Sequence, residues 1–149
     1  MFQFTQNDFD ITLRLIAATF LGGLIGFERE WQRKEAGVRT YAMVSLGSAL
    51  IMVVSIEVFE IYRAVATVDP SRIAAQVVSG IGFLGAGAII RDPREIKGLT
   101  TAAGIWTVAG IGLACGLGQY KPAVLSTFLA LVILILFSKI DRLFGGHDA

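Results

Sequence analysis

The chain has 149 residues, of which 54% are hydrophobic and only 17% charged, and its formal net charge is +1. Soluble domains usually carry about 25% charged residues. This composition, with a mean hydropathy of +0.67, therefore indicates a membrane protein. A net charge near zero with no basic face excludes nucleic acid as an expected partner, and the single Cys115 cannot form an internal disulfide.

Five apolar segments predict five transmembrane helices, since each is near the roughly 20 residues that a helix needs to cross hydrocarbon. They cover about residues 11–27, 40–59, 73–90, 101–117 and 123–140. Pro70, Pro93 and Pro122 fall between them, where proline breaks no helical hydrogen bond. The predicted fold class is an all-α integral membrane protein with a single domain over residues 1–149. Because the last segment ends close to the end of the sequence, we expect no soluble C-terminal domain.

The lysines and arginines predict the orientation of these helices. Most of them lie in the connections 28–39 and 91–98 and at the C-terminal end. Short cytoplasmic loops carry the excess of Lys and Arg in membrane proteins. We therefore expect both connections and the C-terminus in the cytoplasm and the N-terminus outside.

The first two helices carry a glycine motif and two isolated charges. Gly22 and Gly26 form G-x-x-x-G, a motif of closely packed membrane helices, although glycine is also frequent in membrane helices generally. Arg14 and Glu57 lie at similar depth near the outer ends of these helices. A charge in the membrane usually finds a partner, so we predict an Arg14–Glu57 ion pair. The alternative is that both side chains extend to the outer surface.

The third helix contains a second glycine cluster. Residues 80–85 match the dinucleotide-binding pattern G-x-G-x-x-G, but that function requires a preceding strand and a soluble βαβ unit. Here the glycines lie inside an apolar segment, which favours a surface poor in side chains that packs closely against a helix of this chain or of another copy. The predicted packing residues in this half of the chain are Gly80, Gly82, Gly85, Gly87 and Trp106.

Helices one and two resemble helices three and four. Phe20-Leu21-Gly22 matches Phe83-Leu84-Gly85, and residues 37–42 match residues 98–103. This similarity predicts a parallel repeat about an axis along the membrane normal. Chance similarity between short apolar stretches is the competing explanation.

If the repeat holds, two helices begin with Gly-x-x-Thr at the cytoplasmic face. Helix N-termini carry free N–H groups and partial positive charge, so they favour anions or carboxylates. Thr40, Thr100 and Thr101 would contact such a ligand, with Arg39 and Lys97 nearby, or would only cap the helices. The charged connection before them has its own alternative, a solvated loop that obeys the positive-inside rule.

The sequence offers no catalytic constellation. It has one histidine, no Walker loop and no pair of cysteines or histidines with metal-ligand spacing. We therefore predict no catalytic residue, no metal site and no cofactor. Ion-coupled transport usually leaves an ionisable residue deep in the membrane. None of the five segments has an Asp or Glu near its middle, which argues against a proton-coupled transporter and only mildly against a passive channel.

Three motifs in order resemble the MgtC/SapB family of bacterial inner-membrane proteins. They are Gly26-Phe27-Glu28-Arg29-Glu30 with Lys34-Glu35-Ala36-Gly37-Val38-Arg39-Thr40, then residues 80–87, then Gly98-Leu99-Thr100-Thr101-Ala102-Ala103 with Trp106. The resemblance implies a multi-pass inner-membrane protein with a regulatory role in magnesium limitation, acid stress or survival inside hosts. It also implies the proton-driven ATP synthase as a partner of some members.

The polar signature of the family maps onto the side that the charge count places in the cytoplasm. With the neighbouring lysines, the predicted contacts to a ligand or partner are Glu28, Arg29, Lys34, Arg39, Thr40, Lys97, Thr100 and Thr101. We expect a non-enzymatic regulator that forms a homodimer or other homo-oligomer and contacts another membrane protein. The alternative is a small oligomeric transporter or channel for Mg²⁺ or a small solute. A third possibility is an enzyme or sensor that acts on a phosphate-bearing molecule.

Overall fold

The computed structural model describes residues 6–93 and 95–143 and gives side-chain environments for residues 7–93 and 95–140. These residues form five helices and one short antiparallel hairpin. The elements are α1 (Gln6–Trp31), α2 (Val38–Tyr62), α3 (Ser71–Gly87), β1 (Ile90–Asp92), β2 (Glu95–Lys97), α4 (Leu99–Gly116) and α5 (Tyr120–Leu143).

Four helices in the described residues are long and apolar enough to cross a membrane, which makes the chain a multi-pass membrane protein. They are α1 over Asn7–Trp31, α2 over Val38–Tyr62, α4 over Leu99–Gly116 and α5 over Tyr120–Ile140. The predicted span over residues 73–90 is shorter than expected. α3 has 17 residues, or about 25 Å at 1.5 Å per residue, against a hydrocarbon core of roughly 30 Å. A crossing by α3 stays a prediction.

The short hairpin explains why α3 ends before residue 90. Ile90 pairs with Lys97, and Asp92 pairs with Glu95, so the last residue of the predicted span, Ile90, belongs to β1. Gly98 then returns the chain into α4 with φ 84°. A side chain at Gly98 would overlap the Ala88 carbonyl oxygen, so only glycine fits this turn.

The core lies where α1, α2 and α4 meet, with α3 and α5 packed on their flanks. Gly22 and Gly26 stand at the contact between α1 and α2. A Cβ at Gly22 would lie 2.6 Å from the Ser45 Cβ, and one at Gly26 would lie 2.8 Å from the Tyr41 Cβ. The two helices are therefore as close as glycine allows. This arrangement places the last turn of α1 beside the first turn of α2.

The predicted packing surface on α3 is open in this chain. A Cβ at Gly80, Gly82 or Gly87 would meet no atom of the described residues within 4 Å, and one at Gly85 would only touch Ala102 at 3.8 Å. α3 turns its other face, with Ala74, Val77 and Ile81, into the molecule. The prediction of close packing at these glycines therefore remains only for a contact between two copies of the chain. Trp106 likewise points outward, with 58% of its surface exposed.

Arg14 has a different partner from the one predicted. Its Nη2 lies 2.5 Å from Asp10 Oδ2, one turn earlier in α1, and its Nη1 donates to the Gly116 carbonyl oxygen at 2.9 Å. Glu57 is exposed and forms no ion pair with Arg14 in the described part of the chain. The near carboxylate on the same helix face satisfies the guanidinium first, since residues four apart are neighbours.

The predicted repeat stays a prediction. α1 and α2 have 26 and 25 residues, whereas α3 and α4 have 17 and 18. The connections also differ, because a turn joins the first pair of helices and a hairpin joins the second.

Candidate functional site

The charged end of the bundle is defined here as residues 28–40 and 90–101. At this end α1 finishes, α2 and α4 begin, and the hairpin connects α3 to α4. All eight predicted contact residues lie here. The structure separates them into a buried group and an exposed group, and the two groups have different roles.

Glu28 and Arg29 form a buried ion pair in the last turns of α1. Arg29 Nε donates to Glu28 Oε2 at 2.6 Å, and Nη2 donates to Oε1 at 2.9 Å. The two side chains are only 3% and 9% exposed. A buried charge is costly unless it is paired, so the two-point contact of guanidinium and carboxylate is what allows both to lie in the core.

Tyr41, Thr101 and Glu35 connect three segments of the chain. The fully buried Tyr41 on α2 donates its hydroxyl to the Thr101 carbonyl oxygen of α4 at 3.2 Å. Thr101 in turn donates its own hydroxyl to Glu35 Oε2 in the α1–α2 turn at 3.1 Å. The first turns of α2 and α4 are therefore held together, and the α1–α2 turn is bonded to α4 through Glu35.

Carboxylates of the chain itself lie at the helix starts where the sequence predicts an anion or a carboxylate. Glu30 Oε2 accepts a hydrogen bond from the Val38 N–H of α2 at 2.9 Å, and Glu35 binds the first turn of α4 through Thr101. The helices are preceded by Gly37 and Gly98, neither of which caps with a side chain. The interpretation of the threonines as N-caps is therefore wrong, because α2 and α4 each begin before them.

Glu35 and Lys97 lie at the charged end outside the four apolar helices, and both are held in their charged forms. A hydrogen bond from its own backbone amide lowers the pKa of Glu35, and the Thr101 hydroxyl and two nearby lysines add to this against a smaller effect of burial. The ion pair with Glu95, at 2.6 Å, raises the pKa of Lys97. Glu35 and Lys97 therefore both carry their charges near neutral pH.

The exposed group forms what we call the Arg39 surface, defined as Arg39, Thr40 and Thr100. All three side chains are exposed. Within residues 7–93 and 95–140 they have no hydrogen bond or ion pair from their side chains. Thr40 and Thr100 immediately precede Tyr41 and Thr101, which touch, so the two helices converge here. Both predicted lysines, Lys34 and Lys97, are exposed, and Lys97 forms an ion pair with Glu95.

Two functional residues that the sequence analysis does not single out, Glu30 and Glu35, have a recognisable signal in the sequence. Glu30 and Glu35 lie on either side of the short turn that joins α1 to α2. Their carboxylates are therefore close enough in sequence to reach the start of the next helix. The Glu28–Arg29 pair had no such signal, since adjacent residues on a helix do not face each other. In the described residues there is no group of three or more His, Cys, Asp or Glu that could hold a metal ion.

Comparison with known proteins identifies the family. The model of the MgtC family matches residues 15–143. The chain belongs to the MgtC family. It is 48% identical over 131 residues to Protein MgtC of Salmonella typhimurium strain LT2, which covers 88% of this chain and 54% of that protein. The family resemblance drawn from the three sequence motifs is thereby confirmed.

Other MgtC relatives extend the comparison. The chain is 44% identical over 133 residues to the candidate magnesium transporter YhiD of Escherichia coli K12, covering 88% of this chain and 62% of that protein. It is 43% identical over 143 residues to an uncharacterized protein of Haemophilus influenzae, covering 93% and 60%. The chain thus spans between half and two thirds of the length of these relatives. No solved structure matches it. The MgtC family is not an enzyme family.

Proposed function

We propose that this chain is a non-enzymatic regulator in the bacterial inner membrane that acts when magnesium is scarce, under acid stress or inside a host. It acts by contact: the Arg39 surface binds another membrane protein, with the ATP synthase as the partner to test first. A second copy of the chain packs on the open glycine surface of α3. The charged end faces the cytoplasm in this proposal, as the distribution of Lys and Arg predicts.

The observation that carries the proposal is the division of the charged end into a fixed base and a free surface. Glu28 and Arg29 are buried and paired with each other, and the buried Thr101 joins the start of α4 to Tyr41 of α2 and to Glu35. Arg39 stands exposed on that base without an ion pair in the described residues. An unpaired guanidinium on a fixed helix start suits a carboxylate on a partner protein, and the pairing has to offset the cost of ordering the Arg39 side chain.

The close packing of the interior also supports contact rather than transport through one chain. A Cβ at Gly116 would lie 2.5 Å from the Ala49 carbonyl oxygen, and one at Gly112 would overlap the Ser45 carbonyl oxygen. Gly22 of α1 also packs against Ser45, so α1 and α4 both contact α2 closely at this level. An ion would have to separate these backbones to pass between them.

The proposal is tested with crosslinking in living cells under magnesium limitation. A photo-crosslinker at position 40 or 100 should capture a specific membrane protein, and Arg39→Ala should reduce the yield about tenfold, the effect of losing a charged hydrogen bond of roughly 1.5 kcal/mol. Arg63→Ala is the matched control, because Arg63 is an exposed arginine that follows α2 at its opposite end and pairs with Glu60. Equal crosslinking in both variants would contradict the proposal.

A transporter or channel for Mg²⁺ is the second candidate, and two observations favour it. The relative in Escherichia coli is named as a candidate magnesium transporter. The buried face of α2 also carries Ser45, Ser48 and Ser55, and the Ser45 hydroxyl has no hydrogen-bond partner in the described residues. Magnesium flux into proteoliposomes containing the purified chain, above that of protein-free liposomes, would establish this function and displace the regulatory one.

A further inference from the structure

The turn after α1 contains an arginine in a backbone conformation that favours glycine. Arg33 has φ 55°, and among the described residues it is the one non-glycine residue with a positive φ. We call residues 31–34 the Arg33 turn. A side chain in this left-handed region is crowded by the backbone, whereas glycine adopts the region freely. The backbone at Arg33 would therefore be better served by glycine.

The hydrogen bonds of the Arg33 turn form a Schellman motif. The Arg33 N–H donates to the Glu30 carbonyl oxygen at 3.0 Å, and the Lys34 N–H donates to the Arg29 carbonyl oxygen at 3.0 Å. In this motif the residue at the place of Arg33 is usually glycine. Residues held in such sparsely populated conformations cluster at functional sites. The turn itself does not call for an arginine, so the arginine side chain has to account for its presence.

The Arg33 side chain has no counter-ion within the chain. It is exposed, and its guanidinium forms no hydrogen bond or ion pair in residues 7–93 and 95–140. The glutamates around the turn are bonded elsewhere in the charged end. They are Glu28, Glu30 and Glu35. An acidic partner for Arg33 therefore has to come from outside the chain.

Aromatic side chains place the Arg33 turn at the surface of the membrane. Trp31, the last residue of α1, is 77% exposed, and its ring centroid lies 6.3 Å from that of Phe27, which is 60% exposed. α1 has 26 residues, or about 39 Å at 1.5 Å per residue, against a hydrocarbon core of roughly 30 Å. The last turn of a spanning α1 therefore reaches the headgroups, the level at which tryptophan is enriched.

The partner that fits a cation at this level is a lipid phosphate. An arginine side chain is long enough to keep its guanidinium among the headgroups while the helix lies in hydrocarbon. The guanidinium binds phosphate through two parallel hydrogen bonds. Charge complementarity favours an anionic lipid, because a zwitterionic headgroup carries its own cation beside the phosphate. Anionic leaflets attract arginine and lysine that lie next to a span.

We propose that the Arg33 turn binds the headgroup of one anionic phospholipid. The Arg33 guanidinium pairs with the phosphate, and Trp31 and Phe27 contact the acyl chain beneath it. The lipid supplies the counter-ion that the chain lacks, and it holds this end of α1 at the membrane surface. The site requires only that α1 crosses the membrane, so it does not depend on a partner at the Arg39 surface.

Quenching of tryptophan fluorescence by brominated lipids tests the proposal beside the site. The chain has two tryptophans, so Trp106→Phe leaves Trp31 as the one reporter. This chain is placed in bilayers of equal parts phosphatidylglycerol and phosphatidylcholine, with one or the other lipid brominated. We expect phosphatidylglycerol to associate with Trp31 about fivefold more strongly, the effect of roughly 1 kcal/mol for one arginine at an anionic surface.

Two replacements of Arg33 in the same background separate the side chain from the backbone. Arg33→Gln and Arg33→Gly should both bring the association of the two lipids close to equality. Arg33→Gly should also raise the unfolding temperature in a neutral detergent, because it relieves the left-handed strain, whereas Arg33→Gln should not. Arg63→Gln is the matched control, because Arg63 is an exposed arginine that follows α2 at its opposite end, and it should leave the lipid preference unchanged.

Three results would overturn the proposal. Equal quenching by the two lipids without any change at Arg33 would leave a partner protein or solvent as the surroundings of the guanidinium. A preference that survives both Arg33 replacements would place the lipid contact elsewhere. A preference that is lost in the Arg63→Gln control as well would make it a general effect of net charge.

Discussion

Gly104 on α4 lies directly against the hydroxyl of Tyr41 on α2. A Cβ at Gly104 would overlap the Tyr41 Oη and come within 3.1 Å of its Cε1. The same hydroxyl donates to the Thr101 carbonyl oxygen one turn earlier on α4. The Tyr41 hydroxyl therefore lies between the Thr101 carbonyl oxygen, which accepts its hydrogen bond, and Gly104, whose lack of a side chain leaves space for the hydroxyl oxygen.

This relationship predicts a pair of variants that compensate in part. Gly104→Ala should lower the free energy of unfolding by about 1–3 kcal/mol, the usual cost of overpacking. Tyr41→Phe should cost about 1 kcal/mol for the lost hydrogen bond. In the double variant the methyl group occupies space left by the hydroxyl, so its loss should be smaller than the sum. Thermal unfolding of the four chains in one detergent measures the coupling, and strict additivity would contradict the contact.

The contact of α4 with α2 predicts a sharp difference between two neighbouring glycines. A Cβ at Gly112 would overlap the Ser45 carbonyl oxygen and lie 2.8 Å from the Ser48 Cβ, whereas one at Gly110 would meet nothing within 4 Å. Gly112→Ala should therefore destabilise the fold by at least about 1–3 kcal/mol, because a backbone atom cannot move aside. Gly110→Ala should be neutral or slightly stabilising. The yield and unfolding temperature of the purified variants check this, and equal values would show that the helices are farther apart.

The spans and their order could be predicted because they depend on composition, while the polar contacts depend on three-dimensional proximity. Apolar segments long enough to cross a membrane predict α1, α2, α4 and α5. The sequence does not predict the hairpin at residues 90–97, because Ile89 and Ile90 extend the apolar segment of α3 although the helix has already ended at Gly87. The partner of Arg14 could have been found, since Asp10 lies four residues earlier on the same helix. No spacing indicates which side chains of the charged end become buried.

The buried pair on α1 predicts that removing one charge is worse than removing both. Glu28→Ala leaves the Arg29 guanidinium buried without a counter-charge, which should cost about 3–5 kcal/mol. The double replacement Glu28→Leu with Arg29→Met keeps the volume and removes both charges, so it should be close to neutral. Thermal unfolding with matched protein yields compares them. A double variant as unstable as the single one would mean that the pair has a further partner at this end.

The carboxylate of Glu35 predicts how stability responds to acid. Its pKa is lowered from 4.5 in the folded chain, first by the hydrogen bond from its own amide and further by Thr101 and the nearby lysines. The stability it contributes is therefore complete above its unfolded pKa and is lost as the pH falls through the lower, folded value. Glu35→Gln should unfold at a lower temperature than the wild type at neutral pH, and the two should converge in acid.

Unfolding temperatures measured from pH 7 down to below the folded pKa of Glu35 follow this convergence. Glu57→Gln serves as the control, since Glu57 is an exposed carboxylate without an ion pair in the described residues, and its curve should run parallel to that of the wild type. Thr101→Val should behave like a weaker form of Glu35→Gln, because it removes one of the hydrogen bonds that hold the carboxylate charged. A constant difference between wild type and Glu35→Gln at every pH would show that Glu35 acts only by its shape.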